Sequence, residues 1–154
     1  MGPGQRILKA IGHSPFWRVT GRLHTVLYRA TGGRVGRAAG GITNLLLTTT
    51  GRKSGQPRTV PLAYIEDAGR FVVVASNGGS DRPPAWWVNL RHRPEAQVEI
   101  GSEVIAVVAR ESTDAERSVL WPRLKQGNPF FGQYEQITTR HIPVVLLERR
   151  RLSG

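Results

Sequence analysis

The chain has 154 residues, no cysteine and a formal net charge of +11. A chain of this length builds one domain with a core that needs no metal or disulfide staple. The absent cysteines exclude thiol chemistry, disulfides and cysteine-ligated zinc or iron–sulfur centres.

The first acidic residue is Glu66, and only three of the 22 cations are lysine. The N-terminal part thus carries nearly all the excess charge, a polarity suited to an anionic ligand, an acidic membrane surface or nucleic acid. Arginine favours planar, bidentate contact with phosphate or carboxylate. No apolar run reaches the roughly 18 residues of a bilayer span, and the N-terminus lacks a signal peptide's apolar core, which points to a cytoplasmic protein.

Residues 1–13 are glycine-rich and basic and read as a frayed end. Ser14 before Pro15 supplies an N-cap and a first helical position. Phe16, Val19, Leu23, Val26 and Leu27 then recur at helical spacing, with Arg18, Arg22, Thr25 and Arg29 on another side. Such a basic amphipathic helix either lies on an anionic membrane or covers the domain's own core, and Trp17 and Tyr28 suit both. Residues 31–41, TGGRVGRAAGG, form a flexible basic connector. Its GxxG follows a helix and no strand, which argues against dinucleotide binding. The expected division is therefore residues 1–40, basic helix and linker, and 41–154, the folded domain.

Residues 45–64, LLLTTTGRKSGQPRTVPLAY, organise that domain. Two β-prone runs, at 45–50 and 59–65, flank a loop carrying Arg52, Lys53 and Arg58. Gly51 and Gly55 permit turns whose exposed N–H groups form an anion-binding concavity. The alternative is a solvated basic hairpin loop.

Further on, 70–76 predicts a continuous apolar strand, 77–84 a loop, and Pro84 the start of a short helix through Leu90. Trp86 and Trp87 point to different helical sides, so either one is core and the other lines a cleft, or both are buried. Gly101-Ser102 joins strands at 97–100 and 103–109 through a type II′ turn. Thr113 and Glu116 have capping-box spacing before a helix containing Val119, Leu120, Trp121 and Leu124, which Gly127-Asn128-Pro129 ends. Phe130, Phe131 and Tyr134 form an aromatic cluster, 142–147 is a last apolar strand, and 148–151 reads as a solvated tail. Six strands joined mainly by hairpins predict a mainly β α+β fold, an antiparallel barrel-like sheet with helices packed on it.

Familiar catalytic constellations are missing. The four histidines show neither HxxxH nor HExxH spacing, GxSxG is absent, and the acids are sparse. What remains is a cofactor-sized pocket with a cationic clamp, a Gly-Gly loop and aromatic walls, in which a cofactor carries the hard chemistry.

In matching order from residue 45 to 147, TTGRKSG at 49–55 with Arg58 and Pro61-Leu62, ASNGG at 75–79, PAWWVNL at 84–90, Trp121-Pro122 and Ile142-Pro143-Val144 resemble the actinobacterial deazaflavin-dependent nitroreductase family. The resemblance implies a split β-barrel, FMN-binding-like, and use of reduced coenzyme F420 to deliver hydride to quinones, activated alkenes (enones) or nitro compounds. It puts Arg52, Lys53 and Arg58 at the coenzyme's phosphate and glutamate tail. The backbones of Pro61, Leu62, Val74, Ala75, Ser76 and Asn77 would border the deazaflavin ring, Trp86 and Asn89 would complete its pocket, and Gly78 and Gly79 would approach the phosphate. Ser76 and Tyr134 would face the substrate as the catalytic hydrogen-bonding pair, with Asn128 and Phe131 as further substrate-binding positions.

Nitroimidazole-reducing members carry tyrosines at the places of Asn128 and Phe131 and a lysine at that of Asn77; Val60 and Ala63 also replace larger or more polar residues. The helix with Phe16, Trp17 and Arg22 resembles the quinone-reducing branch, which implies peripheral contact with the inner face of the cell membrane. Alternatives are a non-catalytic basic module binding nucleic acid, though no specific nucleic-acid frame is recognisable, an F420 carrier without turnover, and FMN as the cofactor. No metal is expected.

Overall fold

The computed structural model describes residues 43–151. The expected amphipathic helix and the linker at 31–41 lie outside the described residues. Seven strands form: β1 (Asn44–Thr50), β2 (Pro57–Ala63), β3 (Ile65–Asp67), β4 (Arg70–Val74), β5 (Glu95–Ile100), β6 (Glu103–Glu111) and β7 (Val144–Arg149). Among the described residues three helices accompany them, α1 (Ala85–His92), α2 (Asp114–Gly127) and α3 (Phe130–Ile137), with one 3-10 turn at Asn77–Gly79. The antiparallel sheet has the order β2-β1-β5-β6-β7-β4-β3.

The strand expected over 59–65 divides at Tyr64. Ala63 pairs with Asn44 at one edge of the sheet, whereas Ile65 pairs with Val72 at the other. One residue cannot link opposite edges of a flat sheet, so the sheet curls into a half-barrel. Consistent with that curl, Val60 and Leu62 of β2 pack against the same cluster as Phe71 and Val73 of β4. Pro57 and Pro61 stand on edge strand β2, opposite Thr50 and Leu46, where a missing N–H costs the ladder nothing.

The apolar runs of β4 and β7 are explained by burial on both faces. Phe71, Val73, Val145 and Leu147 enter the barrel interior with Leu45, Leu47, Val98 and Val107. Val72, Val74, Val144 and Leu146 face outward and are covered by Leu120, Trp121 and Leu124 of α2 and Phe131 of α3. Each such side chain contributes roughly 1.5–3 kcal/mol by leaving water. Gly101 has φ +60°, as a type II′ turn requires at its first loop position.

The tail expected at 148–151 is instead partly strand. Glu148 accepts from Arg110 Nε at 2.7 Å, and the Arg149 guanidinium lies 5.3 Å from the Phe71 ring centre, because β6 extends far enough to pair with both residues.

The predicted capping box is present. Thr113 Oγ1 accepts from Glu116 N, and Glu116 Oε1 accepts from Thr113 N. Glu116 also binds Arg110 at 2.7 Å and Arg70 at 3.0 Å, while Asp67 binds Arg70 and Arg123, both at 2.8 Å. This ion network fastens α2 to β4, β6 and the β3–β4 turn. The Arg110 hydrogen bond, then the Thr113 N–H, then Arg70 hold the Glu116 carboxyl well below the usual carboxylate range. A carboxyl depressed in the folded state stabilises above its unfolded pKa of about 4.3 and loses that contribution as pH falls further. Glu116→Gln keeps the capping geometry and removes the charge. Thermal melts of this variant should lie a few degrees below wild type by a constant margin above about pH 5, and the margin should narrow steadily below about pH 4.

Candidate active site

The strand directions bring three connections to one end of the half-barrel: the β1–β2 loop, the segment from β4 to α1, and the start and finish of the long β6–β7 connection. The first is the cationic loop. Gly51 N donates to Gln56 O and Gly55 N to Gly51 O, both at 2.8 Å. Gly55 has φ +69°, and a Cβ on Gly51 would stand 2.5 Å from Ser54 Oγ. Gly55 is needed for its left-handed conformation, and Gly51 lets the Ser54 hydroxyl lie close against the turn. Arg52, Lys53 and Arg58 are exposed, and among the described residues none of them pairs with a carboxylate.

Asn89, only 5% exposed on α1, holds this loop. Its Oδ1 accepts from Arg52 N at 3.2 Å, and its Nδ2 donates to Thr49 Oγ1 at 3.1 Å. With both ends of the amide engaged, Asn89 positions the cationic loop. Trp86 and Trp87 are both buried, at 7% and 8% exposure, in edge-to-face contact. The reading that frees one of them for a cleft is therefore corrected, because α1 packs both sides of its tryptophan pair into the barrel core.

The second connection carries Ser76, Asn77, Gly78 and Gly79. Val74 ends β4, and Ala75 N donates to Pro143 O at 3.0 Å. Ser76 is right-handed, at φ −79° and ψ −31°, and Asn77 and Gly78 follow with φ +46° and +63°. A right-handed residue before a left-handed one turns successive N–H groups into one concavity. Asparagine tolerates this conformation better than most residues; its Nδ2 donates to Arg82 O at 3.0 Å. The N–H groups of Ser76, Asn77 and Gly78, and the Ser76 hydroxyl, bond to no other described residue.

Gly79 has φ +79°, and a Cβ there would meet Ile137 at 2.6 Å and the Tyr134 Cα at 3.3 Å. Helix α3 thus rests directly on this glycine, which brings Tyr134 beside the Ser76 loop. Around Gly78 the corresponding space is open. Tyr134 is half-buried between Phe130, stacked at 6.3 Å, and Phe131, edge-on at 6.4 Å.

Asn128 and Phe131 lie at the α2–α3 elbow. Asn128 Oδ1 caps α3 by accepting from Phe130 N, and Phe131 stacks on Trp121. Together with Thr43, Tyr64, Ile65 and Leu124 they line a cavity of about 160 Å³. Pro61 is exposed on β2, whereas the Leu62 side chain packs on the barrel core. Sequence reasoning missed Arg140, which binds the Ser76 loop from behind; nothing in its local context, Thr-Thr-Arg-His, distinguishes it.

A curled antiparallel half-barrel with a cationic loop and a glycine-bearing turn at one rim defines a split-barrel protein. The fold alone is shared with an FAD-binding protein from Mesorhizobium loti, at 16% identity and a TM-score of 0.50 over 70% of this chain and 79% of that one. Residues 20–149 match the family model described as F420H(2)-dependent quinone reductase. An F420H(2)-dependent quinone reductase of Mycobacterium tuberculosis is 40% identical over 133 residues, covering 84% of this chain and 89% of the relative. A solved F420-H2 dependent reductase is 38% identical with a TM-score of 0.63, over 68% of this chain and 93% of that chain. The chain belongs to the F420H(2)-dependent quinone reductase family.

Gly79→Ala combines a left-handed backbone with a clash against α3, and it should cost about 1–3 kcal/mol in chemical denaturation. Gly78→Ala shares the backbone strain without the clash, so Gly79→Ala should be the more damaging of the two.

Proposed function

We propose that this protein is an F420H2-dependent oxidoreductase that passes hydride to a quinone or a related conjugated acceptor. What carries this reading is the cationic loop. Arg52, Lys53 and Arg58 stand unpaired with carboxylates among the described residues, at the rim that also carries the Ser76–Gly78 turn. Coenzyme F420 has an acidic phosphate and glutamate tail, and these exposed cations fit it in charge and placement. The open space at Gly78 and the three converging N–H groups fit the approach of its polar atoms.

In this assignment Arg52, Lys53 and Arg58 bind the tail, and Asn89 fixes the backbone that presents them. The main chain at Pro61-Leu62 and Val74–Asn77 borders the ring. Reduced deazaflavin, when bound, supplies a hydride. Ser76 Oγ and the Tyr134 hydroxyl hydrogen-bond the acceptor oxygen on which negative charge develops, a form of preorganised stabilisation worth several kcal/mol in a dry site. Tyr134 or solvent returns the proton. The apolar faces of Phe130 and Ile137, 52% and 67% exposed on α3, suit a hydrophobic acceptor. Contact with an acidic membrane is assigned to residues 14–29, on the strength of their basic, amphipathic sequence.

Purified protein should accelerate the oxidation of F420H2 by menadione, and failure to do so overturns the assignment. The double substitution Arg52→Ala with Lys53→Ala should raise the coenzyme Kd at least about tenfold at low salt, with kcat at saturation nearly unchanged. Ser76→Ala and Tyr134→Phe should show the converse, kcat falling about tenfold or more with little change in coenzyme Kd.

A further inference from the structure

Arg140, between α3 and β7, is half-buried and spends its guanidinium on main-chain carbonyls. Nε donates to Ser80 O at 2.7 Å, and Nη2 donates to Ser76 O at 2.7 Å and Ala75 O at 3.1 Å. Nη1 donates to the carbonyl of neighbouring His141 at 3.2 Å. Among the described residues no carboxylate pairs with it. One planar cation therefore grips both ends of the Ser76–Gly79 turn.

The consequence follows from peptide geometry. In a trans peptide the C=O and the next residue's N–H point in opposite directions and share a plane. The carbonyls of Ala75 and Ser76 both point at Arg140, so the N–H groups of Ser76 and Asn77 point away from it. Those two N–H groups belong to the concavity described above and bond to no other described residue. The pull of a full positive charge on the carbonyl side also polarises both peptides, strengthening the donors opposite.

We propose that Arg140 is the positioning residue of this site, aiming the Ser76 and Asn77 amides at an oxygen of bound coenzyme or acceptor and holding Ser76 Oγ in register with Tyr134. The kinetic consequence rests on the reductase assignment; the orientation of the amides does not. Lysine preserves the charge yet has no planar fork to span carbonyls on both sides of the turn.

Arg140→Lys should therefore lower kcat about tenfold or more, as misaligned donors do. Its coenzyme Kd should rise by a smaller factor than kcat falls, because the tail contacts lie on another loop and only the amides of the Ser76 turn are disturbed. Amide hydrogen exchange at Gly79 and Ser80, whose N–H groups close the turn, should quicken in the variant relative to the barrel strands. In Arg140→Ala, added methylguanidinium should restore part of the lost kcat. Wild-type kcat in folded Arg140→Lys, or a loss of kcat without faster exchange in the turn, overturns the proposal. If the wild type itself oxidises no F420H2, the functional assignment fails and exchange alone judges Arg140. If neither variant folds, the Arg140 Nε–H proton of the wild type decides: slow solvent exchange supports the grip and fast exchange refutes it.

Discussion

Two strands at opposite edges of a sheet cannot be joined through a single residue unless the sheet bends to bring those edges together at that residue. Tyr64 imposes that condition, with its N–H tied to Thr43 O at 3.1 Å and β2 and β3 on either side of it at the two ends of the strand order. The barrel interior follows, since only a curled sheet can gather Leu62, Phe71, Val98 and Leu147 around the same tryptophans. The outer layer follows as well. β4 and β7 expose a second apolar face that α2 and α3 must cover, and covering it carries Tyr134 back toward the end of β4.

The rim built in this way is irregular backbone held by side chains from elsewhere. Asn89 satisfies an amide of the cationic loop from beneath, and Arg140 satisfies the carbonyls of the Ser76 turn from behind. Local hydrogen bonds close both turns, and one side chain from a distant element completes each of them. Charge is divided too. The cations of the first loop look outward and are unpaired with carboxylates among the described residues, whereas Arg70, Arg110 and Arg123 are paired with Asp67, Glu116 and Glu148.

Features set by neighbours in the chain were legible in the sequence. The apolar runs of β4 and β7, the Gly101 turn, the Thr113–Glu116 box and the glycine-bracketed cations each rest on residues a few positions apart, so periodicity and turn chemistry reveal them. Features set by distant pairing were not. The run from Thr59 to Ile65 is uniformly β-prone, and only the choice of partner strand breaks it at Tyr64. Asn89 meets residues 37 and 40 positions away, Arg110 meets Glu148 38 positions on, and Arg140 reaches back 64 positions to Ser76. Such contacts leave no local trace. The family resemblance supplied the positions of the rim residues, but it could not divide those with exposed side chains, such as Arg52, from those that act through a buried hydrogen bond, such as Asn89.

The prolines of β2 bear on how the molecule keeps to itself. A half-barrel, unlike a closed one, retains a border strand whose outward amides could recruit a strand from another copy. Pro57 and Pro61 sit on that border in the same pleat phase, each two residues from Thr59. They erase hydrogen-bond donors where such recruitment would begin, so the open seam that gives the fold its accessible rim is also chemically blunted against runaway self-association.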